Sequence, residues 1–136
     1  MNLNKLNKYG KYSPLLLRTG IAVVFLWFGF SQLKDPSSWI GMIPAYAISL
    51  SPFSPSALVF FNGIFELVFA TLLLLGLFTR FTSFILGLHL LHITTILGYG
   101  AIAARDFTLA IASFSIFLHG PDIFGLDMIL WKKSEM

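Results

Sequence analysis

Four long apolar runs dominate the chain, and each is long enough to cross a lipid bilayer as a helix. The first covers residues 14–33 and follows Ser13-Pro14, a pair typical of a helix start. At about 1.5 Å per residue, its twenty residues reach about 30 Å, the thickness of the hydrocarbon core. The other runs cover residues 56–78, 81–98 and 103–119. The runs therefore predict an all-α integral membrane protein whose four transmembrane helices form a bundle.

The composition excludes the soluble alternatives. Of the 136 residues, 57% are hydrophobic and only 11% are charged, and the mean hydropathy is +0.83. Disorder requires low hydrophobicity with high net charge, and a soluble domain of this size has too much surface to hide so many apolar side chains. We expect one domain, residues 1–136, whose first run is a membrane span because it is too long for a signal peptide. The net charge of +3 does not predict nucleic-acid binding, since no basic cluster lies within the apolar part.

Two shorter stretches are predicted to lie at the membrane surface instead of crossing it. Residues 36–50, between the first two spans, carry Trp39 and Tyr46 and are interrupted by proline. Tryptophan and tyrosine favour the level of the lipid headgroups. Residues 123–131, after the last span, form a short amphipathic tail. Both stretches are therefore expected to be interfacial.

Lysine and arginine are distributed unevenly between the two ends of the predicted bundle. Seven fall on the side of the termini and two on the other side, and basic residues are retained on the cytoplasmic side. We therefore expect a protein of the cytoplasmic (plasma) membrane with both termini in the cytoplasm and residues 36–50 facing outward. The larger group is Lys5, Lys8, Lys11, Arg18, Arg80, Lys132 and Lys133, and the smaller is Lys34 and Arg105.

The chain contains no cysteine. This removes disulfides, thiolate nucleophiles, iron–sulfur clusters and CxxC redox motifs. If the protein takes part in electron transfer, the electrons must sit on a bound quinone, a haem or a partner protein. No residue pattern in the sequence assigns a catalytic residue.

Each predicted span has one helical face of polar or small residues. Because polar groups in hydrocarbon need partners, we expect these faces to point into the bundle. At the helical period they are Arg18, Ala22, Phe25, Gly29 and Gln32; Asn62, Gly63, Glu66 and Ala70; His89, His92 and Thr95; and Thr108, Ala112, Ser115 and His119.

Glu66 is the residue that most requires a partner. It lies about ten residues from the outer end of its span, near the bilayer midplane, where an unpaired ionisable group costs several kcal/mol. His92 is predicted at a similar depth, so we expect a Glu66–His92 carboxylate–imidazole pair. Arg18 lies about one turn inside the cytoplasmic end, near the depth of His89, and its long side chain could reach toward Glu66.

A purely structural interpretation stays open at each position. Arg18 could extend to the inner headgroups, and a histidine could be neutral and bonded to a hydroxyl. Glu66 could be protonated, or paired only for stability. Arg105-Asp106 fits a helix-start pair at the outer surface, and Asp127 fits a cap.

Four groups of motifs occur in order over about residues 14–130. They are Leu17-Arg18-Thr19-Gly20 with Phe25, Gly29 and Lys34; Gly63, Glu66 and Leu75-Gly76-Leu77-Phe78-Thr79-Arg80; Arg105-Asp106; and Gly120-Pro121 with Gly125-Leu126-Asp127. Together these motifs resemble the DoxX family, small four-span membrane proteins related to the small subunit of thiosulfate:quinone oxidoreductase. Asp122 and Gly125 depart from the family's "GPG…SLD" ending, where a second glycine and a serine are usual. The resemblance implies a four-helix membrane bundle linked to quinone-dependent oxidation or oxidative-stress complexes.

The leading hypothesis is a quinone-associated membrane subunit that serves a redox or oxidative-stress complex. A quinone requires an apolar slot, formed here by aromatic residues such as Phe25, and polar groups that exchange protons near its oxygens. The lipid bilayer, a redox partner protein and a second copy of the chain are the expected partners. The candidate cofactor-binding residues are Arg18, Glu66, His89 and His92.

Two other functions stay open. The protein could be a non-catalytic scaffold or assembly subunit in which buried polar groups set the helix register, or a proton or small-solute pathway with Glu66 and His92 as relay. The sequence does not favour a haem held by His89 and His119. Nor does it favour a metal ion held by His89, His92 and Glu66, because further ligands are missing.

Overall fold

The computed structural model describes residues 8–134, a range that is almost entirely helical and holds no β-strand. Residues 1–7, which include Lys5, and residues 135–136 lie outside this range. Four of the helices are long and apolar enough to cross a membrane, which confirms the predicted all-α membrane architecture. The helices are α1 (Ser13–Lys34), α2 (Ala45–Leu50), α3 (Pro55–Leu75), α4 (Thr79–Leu97), α5 (Ala101–His119) and α6 (Leu126–Ser134), with 3-10 helices at Gly10–Tyr12 and Pro36–Met42.

Gly76 determines where α3 ends. Its φ of +68° lies in the left-handed region, which residues with a Cβ adopt only with strain. The Leu77 amide then donates to the Leu72 carbonyl at 2.9 Å and closes the helix end. The helix consequently stops at Leu75, before the predicted boundary at residue 78, and α4 begins at Thr79.

The long helices form two closely packed pairs, α1 with α3 and α4 with α5, and fewer contacts join the pairs. Glycines permit the close approach. A Cβ at Gly29 of α1 would lie 2.9 Å from the carbonyl oxygen of Gly63 in α3. In the other pair, a Cβ at Gly87 would lie 3.0 Å from a ring carbon of Phe114. Small residues therefore set the helix spacing, as is typical of packing within lipid.

Gly29→Ala should destabilise the protein by about 1–3 kcal/mol, because the new Cβ would meet the backbone of α3 rather than only a flexible side chain. Gly20 on the same helix has nothing within 4 Å of a Cβ placed there, so Gly20→Ala should be neutral or slightly stabilising. Heating both variants in detergent and measuring the folded fraction by size-exclusion chromatography compares them. Equal loss of the two variants would contradict the close approach.

The inward faces of α1 and α3 agree with the predicted polar faces. On α1, the predicted set from Arg18 to Gln32 is buried throughout. On α3, Gly63, Glu66 and Ala70 are buried. Polar groups that no local bond can satisfy therefore indicated the inward direction correctly for this helix pair.

The predicted faces of α4 and α5 are only partly correct, since His89 and Ala112 are half-buried and the other members are exposed. The Thr95 hydroxyl donates to the His92 carbonyl at 2.7 Å, and the Thr108 hydroxyl donates to the Ala104 carbonyl at 2.9 Å. Because these hydroxyls are satisfied within their own helices, they do not need a partner helix. The exposed residues of the predicted faces are His92, Thr95, Thr108, Ser115 and His119. The buried faces instead include Thr82, Ser83, Leu86, Gly87 and Leu90 on α4, and Ala103, Asp106, Ala110, Ser113 and Ile116 on α5.

Residues 35–50, termed the cap, lie where α1 ends and α3 begins. The first part of the cap, the 3-10 helix, packs on both helices. Trp39 meets Phe28 of α1 edge-on, with 5.5 Å between ring centroids. Hydrogen bonds from the hydroxyls of Ser37 and Ser38 hold the pKa of Asp35 below its ordinary value. The location of the cap at the membrane surface stays a prediction.

The C-terminal segment joins the helices at the end away from the cap. The Asp127 carboxylate accepts hydrogen bonds from the backbone N–H groups of Phe78 at 2.8 Å and Thr79 at 2.7 Å. Asp127 is thus a helix-capping residue, as predicted, although it caps the N-terminus of α4 and not its own helix α6. Its own amide donates to the Gly76 carbonyl at 2.9 Å. The turn between α3 and α4 is therefore held from both sides.

Candidate functional site

A cavity of about 550 Å³ lies beneath the cap, between α1, α3, α4 and α5. This volume falls within the usual range for small-molecule sites. The walls are mostly apolar and rich in aromatic rings, among them Phe25, Trp27, Phe28, Trp39 and Tyr46. The polar side chains in the walls are Gln32, Asn62, Glu66, His89, His92, Arg105 and Asp106.

Glu66 is only 3% exposed, and its carboxylate connects three helices. Gln32 of α1 donates to Oε2 at 3.0 Å, and Asn62 of α3 donates to Oε1 at 2.9 Å. His89 of α4 places its Nε2 3.2 Å from Oε1. Asn62 also donates to the amide oxygen of Gln32 at 2.8 Å. The amides of Gln32 and Asn62 donate to the carboxylate, and His89 does so when its Nε2 carries a proton.

Helix geometry explains how this cluster forms. Asn62 and Glu66 are four residues apart and therefore share a face of α3. The glycine contact between α1 and α3 brings Gln32 close, since a Cβ at Gly63 would lie 3.1 Å from the Cβ of Gln32. The helical period places Gln32 and Asn62 on the predicted inward faces, but it does not identify them as partners of Glu66. The sequence signal for their role is spacing: Gln32 lies about one helical turn after Gly29, and Asn62 lies about one turn before Glu66.

His89, rather than the predicted His92, is the imidazole partner of Glu66. The Nε2 of His92 lies 2.6 Å from the hydroxyl of Tyr46 in the cap. His89 and His92 are three residues apart on α4. Their side chains therefore point in directions that differ by about 60° around the helix axis and lie about 4.5 Å apart along it. Similar depth therefore did not suffice to predict the pair, because the rotation turns His92 toward the cap and His89 toward α3.

Arg105 and Asp106 form a second polar group of the cavity wall. Asp106 is only 4% exposed, and its Oδ1 accepts from the Nε of Arg105 at 2.8 Å. The guanidinium lies 4.9 Å from the centroid of the Phe28 ring, a cation–π contact. Asp106 is thus a candidate site residue, although the sequence predicts it only as one member of a surface pair. The signal for it is the row of small residues at helical spacing on its own face, Ala103, Ala110 and Ser113.

Arg18, a predicted cofactor-binding residue, lies away from the cavity. It is 2% exposed, and its Nε donates to Oδ2 of Asp122 at 2.7 Å. Its Nη1 donates to the carbonyls of Leu73 and Leu74 at the end of α3. Arg18 therefore neutralises a buried carboxylate and donates to two carbonyls of the helix end, of which that of Leu73 also accepts from the Gly76 amide at 3.0 Å. It makes no contact with Glu66, in contrast to the expectation.

The other predicted histidine, His119, borders a separate cavity of about 110 Å³ near Ser13 and Asp122. His89 and His119 thus border different cavities. Within residues 8–134, no group of three or more acidic, histidine or cysteine side chains is placed to hold a metal ion. The cavity beneath the cap is consequently the site that the remaining candidates share.

A bundle of four membrane-spanning helices around a buried carboxylate–imidazole pair defines a class of small integral membrane proteins with an internal polar site. The DoxX family model matches residues 13–100, and the chain belongs to the DoxX family. The matched part includes α1, the cap, α3 and α4, and hence Glu66 and its three partners, whereas Asp106 follows it. No curated protein and no solved structure matches the chain.

Proposed function

We propose that the cavity binds the head group of a lipophilic quinone, and that the protein is a quinone-associated membrane subunit of a redox or oxidative-stress complex. The observation that carries the proposal is the buried Glu66–His89 pair in the wall of an aromatic cavity of about 550 Å³. Aromatic walls suit a flat ring, and the polar cluster suits its oxygen atoms. Membership of the DoxX family and the four membrane helices support the proposal.

The cavity residues fit a quinone in shape and chemistry. A bound quinone takes up two electrons and two protons on reduction. Glu66 and His89, 3.2 Å apart, can hold and exchange a proton beside the ring oxygens. The His89 ring is held by aromatic neighbours, with centroid distances of 5.0 Å to Phe65 and 6.3 Å to Phe25. The imidazole is thereby oriented before a ligand arrives.

His92 and Tyr46 favour a proton route between the cavity and the cap, which keeps a proton pathway as the second candidate function. Their side chains are 2.6 Å apart, and Tyr46 is 49% exposed. Both open into the cavity that also borders Glu66 and His89. The polar side chains of the cavity wall and the cavity volume leave room for water between the two histidines. A proton taken from the Glu66–His89 pair can therefore be replaced from the cap side.

The distribution of charge supports an orientation with both termini in the cytoplasm. In the described part of the chain, only two basic residues, Lys34 and Arg105, lie at the cap end. The others lie at the end of the termini, and basic residues are retained on the cytoplasmic side. Because the chain has no cysteine, we expect a partner protein to deliver the electrons.

Tryptophan fluorescence tests quinone binding directly. Of the three tryptophans, Trp27 and Trp39 line the cavity, and Trp131 lies on α6. In a Trp131→Phe variant, titration with a short-chain benzoquinone in detergent should therefore quench the fluorescence to saturation. The matched control combines Trp27→Phe with Trp39→Phe and should show only weak, linear quenching. Linear quenching of equal slope in both variants would contradict the proposal.

A further inference from the structure

One oxygen of the Asp106 carboxylate is left unused by the protein. Oδ1 lies 2.8 Å from both the Nε and the Nη2 of Arg105. Oδ2 accepts no hydrogen bond from the residues that the structure describes. Among those residues, Thr79 Oγ1 is the one fully buried side-chain polar atom without a partner, so Oδ2 must be accessible. Asp106 is 4% exposed and lines the cavity, so this oxygen faces the cavity space.

The cavity therefore offers a ligand carboxylate oxygens that the protein does not fully use. Two carboxylates, Glu66 and Asp106, border it, and the guanidinium of Arg105 bonds only one oxygen of Asp106. A carboxylate has about four lone-pair positions, and the protein occupies three of those on Glu66. The remaining position on Glu66 and the free oxygen of Asp106 can only accept while these groups are ionised.

The two oxidation states of a quinone differ in this respect. The oxidised ring carries two carbonyl oxygens, which accept hydrogen bonds and would oppose the lone pairs of a carboxylate. The reduced ring carries two hydroxyl groups, which donate. Lone pairs that face each other once a ligand has displaced water are costly, whereas a hydroxyl bonded to a carboxylate is a strong, charge-assisted pair.

We propose that the cavity binds the reduced, dihydroxy form of its ring ligand more tightly than the oxidised form, and that Asp106 is the residue that makes this distinction. The inference rests on the proposed quinone binding. By thermodynamic linkage, a site with this preference makes reduction of the bound ring more favourable by the same factor. The cavity then acts to draw the bound ring toward its reduced state.

Binding of a short-chain benzoquinone and of its hydroquinone, each measured by anaerobic equilibrium dialysis in detergent, tests the inference. The unmodified protein should bind the hydroquinone about tenfold more tightly. Asp106→Asn keeps the size of the side chain but presents an amide that can donate to a carbonyl, so the preference should vanish or reverse. Asp35→Asn is the matched control, because Asp35 is exposed and outside the cavity, and should keep the original preference.

The outcomes separate this inference from the proposed function. Equal affinities in the unmodified protein, or a preference that Asp106→Asn leaves unchanged, would overturn the inference while quinone binding stands. Failure of both ring forms to bind the unmodified protein would instead count against the proposed function. If Asp106→Asn does not fold, Asp106→Ser removes the same charge with a small polar side chain and should likewise lose the preference.

Discussion

Arg18→Met should lower the free energy of unfolding by about 3–5 kcal/mol, the largest change in stability that we expect from a single substitution. The Arg18 Nε donates to Asp122 at 2.7 Å, and Asp122 is only 4% exposed. Removing the guanidinium would leave this carboxylate buried without a counter-charge and would also take one hydrogen-bond donor from each of the carbonyls of Leu73 and Leu74. Denaturation with SDS, followed by tryptophan fluorescence, measures the loss.

Arg80→Met is the matched control for Arg18→Met. Arg80 is exposed and donates to the Phe117 carbonyl at 3.0 Å, so its loss should cost only about 1 kcal/mol. Adding Asp122→Leu to Arg18→Met should restore part of the lost stability, because no buried charge is then left unpaired. A protein with Arg18→Met that is as stable as the original would support the other interpretation, in which Arg18 only extends to the headgroups.

Glu66→Gln should weaken binding of a short-chain hydroquinone about tenfold to a hundredfold while the protein still folds. The substitution keeps the shape of the side chain, and the amides of Gln32 and Asn62 can turn to satisfy a third amide. It removes the negative charge that accepts the ligand hydroxyl and pairs with His89. Equilibrium dialysis gives the affinity, and a size-exclusion profile after heating gives the stability.

Two further variants make the Glu66 result decisive. Glu66→Asp keeps the charge but shortens the side chain, and should bind better than Glu66→Gln. Thr71→Val changes an exposed residue of α3 whose hydroxyl bonds the Leu67 carbonyl, and should leave binding unchanged. If Glu66→Gln and Glu66→Asp both prevent folding, the scaffold function gains support over the binding site. If neither changes binding or stability, both functions lose their main argument.

The four membrane helices could be predicted from the sequence because the requirement behind them is local. A segment in hydrocarbon must satisfy its backbone groups internally, and a run of about twenty apolar residues does so as a helix without help from its neighbours. The inward faces of α1 and α3 could be predicted for a related reason. Glu66 and Arg18 are too costly to expose to lipid and thus indicate direction. Thr95 and Thr108 do not, because their hydroxyls bond their own helices.

The site could be predicted only at its centre. Glu66 followed from its depth in the membrane, but the choice between His89 and His92 depended on the rotation of α4. Asp106 was interpreted as one member of a surface pair because its neighbour Arg105 is typical of a helix end. Its burial follows from the way α5 turns toward the other helices, and a count of residues from the helix end contains no such information.

By itself, the sequence determined that this chain resides in lipid as four helices and that Glu66 must be enclosed among polar partners. Only the tertiary structure decided that these partners are Gln32, Asn62 and His89. It also decided that Arg18 pairs with Asp122 and not with Glu66. The physical reason is that a hydrogen bond depends on the exact distance between two side chains, which the rotation of each helix sets. A hydrogen bond tolerates a few tenths of an ångström, whereas rotating a helix by a single residue turns each side chain by about 100°.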